Sequence, residues 1–116
     1  MELVESTRAF IKKTLAVAME ARRSGDIEVS AHLFERAISH ICFMKNEAEK
    51  RIVLLSDTVE TVKAQLSREE MRRCWVSFET TVKQLTPMLE ELQKEVQEYD
   101  LLKEEVAALR DMPSRG

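Results

Sequence analysis

Apolar side chains recur along this chain at steps of three and four residues, and stretches that alternate apolar with polar positions are missing, so the hydrophobic period is helical. No strand is predicted. The first helix spans Glu2 to Arg23 and carries two apolar stripes, Val4, Ile11, Leu15 and Ala18 on one and Leu3, Phe10, Val17 and Ala21 on another. The stripes lie roughly 100° apart in projection, and a helix apolar over so much of its circumference touches two neighbours. Ser24-Gly25 ends it, because glycine accepts the left-handed conformation that satisfies the last carbonyls. Asp26 caps the second helix, its side-chain oxygen accepting from the first free amides. That helix runs to about Lys45-Asn46 with Ile27, Ala31, Phe34, Ala37, Ile38 and Ile41 inward. The third helix carries Ala48, Ile52, Leu55, Val59, Val62 and Leu66 in alternating four- and three-residue steps, the seam of a helix crossing its neighbour at about 20°. Short connections make neighbours antiparallel.

Ser67-Arg68-Glu69-Glu70 fits a capping box, and a long apolar run follows it. Phe78, Val82, Leu85, Leu89, Leu92, Val96 and Tyr99 alternate steps of four and three, a coiled-coil pattern that continues through Leu102, Val106 and Leu109. Between Tyr99 and Leu102 the step is three where four was due, so the stripe slips by one residue. Thr86-Pro87 interrupts the run. Proline inside a helix costs about 3 kcal/mol, so the helix kinks there or a second one starts with Thr86 as its cap. A continuous helix over residues 68–111 would reach on the order of 65 Å, longer than a three-helix unit can cover. Its seam then finds another chain or folds back at Pro87. The expected architecture is all-α: an antiparallel three-helix bundle over residues 1–66, a coiled-coil helix over 67–111 and a frayed tail over 112–116. The seam from Phe78 to Leu109 predicts a homodimer, with Trp75 just ahead of it.

Composition narrows the chemistry. The 116 residues suffice for one core, and only two are glycine, too few for a phosphate-cradling loop. A net charge of −3 gives the chain no overall attraction to nucleic acid or an anionic membrane. Cys42 and Cys74 form no CxxC pair and read as buried thiols, and with His32 and His40 they have spacings unlike those of zinc modules. No metal or other cofactor is expected. Apolar runs fall far short of the ~20 residues that span a bilayer, and the acidic Met1-Glu2-Leu3-Val4-Glu5 start is unlike a signal peptide. The expected location is cytoplasmic. Most carboxylates fall on polar helix faces, and neither histidine has a nucleophile placed against it, so no enzyme is expected.

The pattern Ala18, Ala21, Gly25, Ile27, Ser30, Ala31, Phe34, Ala37, Ile38 resembles the first helix-turn-helix of the microtubule-interacting and trafficking (MIT) domain. Ser30 stands where that family usually has alanine, and Arg22 where it often has an acidic residue. The same spacing is similar to half of a tetratricopeptide repeat, but no 34-residue recurrence is present. The MIT resemblance covers about residues 1–66 and implies a groove between helices that receives amphipathic helical tails. Val29, Leu33, His40 and Met44 on the flank of the second helix, with Leu54 on the third, would border such a groove, unless the fourth helix covers that flank. The sequence thus reads as a non-catalytic adaptor in trafficking or cytoskeletal assembly that binds amphipathic segments of other proteins. The alternative is a structural coiled-coil subunit without a peptide groove, with Trp75 and Phe78 packed into the first three helices.

Overall fold

A computed structural model describes residues 2–65 and 68–112. Every element among the described residues is helical: α1 (Glu2–Arg23), α2 (Ile27–Gln65) and α3 (Arg68–Arg110). The molecule is a rod, 72 × 18 × 17 Å. Helices α2 and α3, of 39 and 43 residues, form one long antiparallel hairpin, and the 22 residues of α1 cover only part of its length.

The turn from α1 to α2 follows from local chemistry. Gly25 adopts φ +83°, open to it because it has no Cβ. This lets the Gly25 amide donate to the Arg22 carbonyl at 3.1 Å and the Asp26 amide to the Ala21 carbonyl at 2.9 Å, closing off the end of α1. The Asp26 Oδ1 then accepts from the Val29 amide at 3.4 Å.

Two departures from the sequence expectation define the architecture. The second and third expected helices are one helix. No glycine or proline lies between Asp26 and Gln65, and the inward stripe passes without a phase break from Ile41 to Ala48, two turns further on. The bundle's third member is therefore the far end of α3 and not residues 48–66. The core consists of Val4, Ile11 and Ala18 from α1, Phe34, Ala37, Ile41 and Ala48 from α2, and Tyr99, Leu102 and Val106 from α3. The chain reverses direction between α2 and α3 and not at Pro87, around which α3 remains helical. Three threonines around the proline, Thr80, Thr81 and Thr86, donate to carbonyls four residues back. Ser67 of the capping box, Leu66 of the expected seam and residues 113–116 of the tail lie outside the described residues.

The helix ends are tied by charge. Arg22 donates to the Leu109 carbonyl at 3.0 Å and also to that of Met112, placing a cation on the exposed carbonyls that end α3. Arg8 pairs with Glu98 at 3.0 Å, and Lys45 with Asp100 at 2.7 Å. The hydrogen bond to Asp100 holds the Lys45 ammonium above its ordinary pKa.

Candidate protein-docking site

Where α1 begins, the rod changes from three helices to two. Arg8 meets Glu98 and Arg22 meets Leu109, so α1 runs parallel to α3 and its first residue points toward the hairpin turn. The groove between α2 and α3 that seats α1 continues beyond Glu2, with no other described helix in it. Its first section is an open cleft of about 460 Å³ lined by Leu3, Leu54, Leu55, Met88 and Leu92 together with Glu2, Arg51, Glu91 and the buried Glu95. The second section, about 260 Å³, is lined by Val59, Val62, Phe78, Val82 and Leu85 with Thr58, Thr81, Ser77 and Cys74 between them. Among the described residues no charged side chain lines it.

A buried polar cluster closes the three-helix end of the trough. The Tyr99 hydroxyl donates to Glu95 Oε1 at 2.8 Å, and the other Glu95 oxygen lies 3.7 Å from the Arg51 guanidinium. Thr7 of α1 is buried here too, its hydroxyl donating to the Leu3 carbonyl at 2.8 Å. Burial, then the hydrogen bond to Glu95 and that residue's charge, push the Tyr99 phenol up to about 12. The residues come from all three helices, so the cluster fixes their register while its carboxylate borders the open cleft.

The five residues expected to border a groove do not form one. His40 lies under α1, its ring 4.7 Å from that of Phe10, and Leu33 and Met44 pack against the core. Val29 and Leu54 remain exposed, at 45% and 67%, but stand about 37 Å apart along α2. The middle of the flank is taken up within the chain's own bundle, Leu33 and Met44 against the core and His40 beside Phe10, while Leu3, Phe10 and Val17 of the second α1 stripe stay exposed. Leu54 alone belongs to the trough.

The expected oligomerisation seam divides as well. Tyr99, Leu102 and Val106 are core residues of their own chain, and Val96 and Leu109 pack against that core. Phe78, Val82, Leu85, Leu89 and Leu92 are half-buried along the hairpin. The division falls ahead of the one-residue slip, since Val96 and Tyr99 before it already pack against or belong to the core. Trp75 lies far from α1, 51% exposed, with the Phe78 ring 6.2 Å away. Contrary to the buried thiols expected, Cys74 is exposed and Cys42 half-buried.

Among the described residues no group of three or more His, Cys, Asp or Glu side chains could hold a metal ion. No described helix is long and apolar enough to cross a membrane. Compared with known proteins, the chain matches no family model, no curated protein and no solved structure. The geometry of the trough therefore carries the functional argument.

Proposed function

We propose that this chain is a non-catalytic interaction module that takes an amphipathic helix of another polypeptide into the trough ahead of α1. One observation carries this reading: an apolar groove that already seats one amphipathic helix runs on, open and similarly lined, beyond the end of that helix. The acidic lining favours an occupant with basic flanks, as α1 itself uses Arg8 against Glu98. The resemblance of the α1–α2 turn to MIT domains supports the same class of activity, and a trafficking or cytoskeletal setting is part of the proposal.

The test is a titration of the isotope-labelled chain with a synthetic leucine/lysine amphipathic helix, followed by NMR. Shifts should concentrate at Leu54, Leu55, Met88 and Leu92, and Leu54→Asp should weaken binding by about tenfold. Shifts confined to the opposite face, or none at all, would overturn the reading. A second reading, a structural subunit of a larger assembly, is favoured by apolar side chains on the other face. Phe43 and Val53 line a further shallow cleft there with Leu54 at its edge. Under that reading Val53→Asp disrupts assembly while Met88→Asp does not.

A further inference from the structure

We infer that the occupant of the trough is a helix of about twenty residues with lysine or arginine in its last turn, lying end to end with α1 and parallel to it, its C-terminal end at Glu2. The inference rests on reading the trough as a helix-docking site and adds the occupant's charge pattern and direction.

Charge along the trough sets the pattern. The section next to α1 is lined by Glu2, Glu91 and Glu95 against Arg51, whereas among the described residues the section toward the turn has only apolar and uncharged polar side chains. The buried Glu95 is answered within the chain, by the Tyr99 hydroxyl on one oxygen and by Arg51 at 3.7 Å on the other. Glu2 and Glu91 are exposed and, among the described residues, belong to no ion pair. Two unanswered carboxylates thus stand at one end of an otherwise uncharged groove. An occupant meets them with cations at one end of its apolar stripe and needs no charge at the other.

Direction follows from α1. Its first residue points into the trough, and the leading amides of a helix have no carbonyl partners within it, so this end carries partial positive charge. An occupant that continues the same groove with its C-terminal end toward α1 sets its last carbonyls, the negative end of its dipole, against those amides. Basic side chains in that last turn then stand beside Glu2 and Glu91 and also favour the helix that carries them. In the reverse direction two positive ends meet, and cations that reach Glu2 and Glu91 sit in a first turn, where they oppose their own helix. The chain uses the same polarity internally: α1 has Arg22 and Arg23 in its last turn, and Arg22 holds the carbonyls that end α3.

Length fixes the size. The two sections line α3 from Cys74 to Glu95, about 32 Å at 1.5 Å per residue, which a helix of about twenty residues spans.

The experiment compares two synthetic peptides of that length with the same leucine stripe, one with lysines in its last turn and one with them in its first. Each is titrated into the isotope-labelled full chain. The peptide with C-terminal lysines should bind about tenfold more tightly, and Glu91→Gln should weaken it about fivefold while leaving a stripe peptide without lysines unaffected. Glu91 is exposed, so the variant keeps its fold, checked by far-ultraviolet circular dichroism. A nitroxide at the C-terminal end of the tighter peptide should broaden the amides of Leu3 and Leu92, and one at its N-terminal end those of Phe78 and Val82. Equal affinity for the two peptides, or the opposite nitroxide pattern, overturns the inference; if Leu54, Leu55, Met88 and Leu92 still shift, the docking reading survives it. Resonances of these residues that move on dilution of the free chain would give the trough to a second copy and overturn the inference as well.

Discussion

The two ends of this rod are built from the same two helices and differ in what covers them. At one end α1 lies in the α2–α3 groove, and ten apolar side chains from three helices are sealed from water. At the other end no third helix lies in the groove among the described residues. There the seam residues Phe78, Val82 and Leu85 stay half-buried, and Val62, Trp75 and Val76 stand exposed. A two-helix hairpin has one seam, and a helix in it can shield only the stripe that meets its single neighbour. The comparison teaches that the α2–α3 pairing is common to both ends, whereas a closed core requires a third member, supplied at one end by the chain itself.

The largest expected effect breaks the comparison at its strong end. Ile41→Ala, which removes a fully buried side chain, should cost about 2–5 kcal/mol in urea unfolding. Leu85→Ala, at a half-open site in the hairpin, should cost only about 1 kcal/mol in the monomer. Equal losses at both would contradict the division. The weak end can be strengthened instead: Pro87→Ala supplies a missing amide to an exposed stretch of α3 and should stabilise the hairpin by up to about 3 kcal/mol, read as raised helicity and slower amide exchange around residues 80–90.

At the boundary, Tyr99 ties the ends together. Its phenol is raised from 10 to about 12 in the fold, chiefly by burial. The protonated, neutral form is therefore favoured in the folded state. The stability this contributes is fully present below pH 10 and is lost as pH rises toward 12. Thermal unfolding should show that alkaline decline, and Tyr99→Phe should abolish it while costing about 1–3 kcal/mol at neutral pH, because Glu95 loses its donor. The smallest effect concerns the attachment of α1. Gly25→Ala meets no neighbouring atom within 4 Å, so its cost is the left-handed backbone alone. That is about 1 kcal/mol, and it should raise exchange in α1 and leave the hairpin tip unchanged.

Much of the fold was legible because its signals are local. The all-helical class, the span of α1, the Ser24-Gly25 stop and the Asp26 cap follow from periodicity and from the conformational needs of single residues. Of the two stripes on α1, only Val4, Ile11, Leu15 and Ala18 met the core, and Leu3, Phe10 and Val17 of the second stripe stayed exposed. The continuity of α2 past Asn46 was missed, although no glycine or proline interrupts it. The phase passing unbroken from Ile41 to Ala48 was the signal for it. The candidate site was less legible. Val29, Leu33, His40 and Met44 look like a free flank in one helix taken alone, and only the tertiary packing, with His40 beside Phe10, shows that its middle is taken up within the bundle. The trough gathers Leu54 and Leu55 with Met88 and Leu92 from the opposite strand of the hairpin, a pairing that depends on where the turn falls.

Periodicity and capping thus dictated helices, their apolar faces and the slip at Tyr99, because each arises from interactions within a few residues along the chain. Which face met which lay beyond their reach. The apolar stripe of α3 is equally suited to another chain or to its own. The choice of Tyr99, Leu102 and Val106 for the home core, with the stretch before them left open, depended on how far a 22-residue α1 reaches along two helices nearly twice its length.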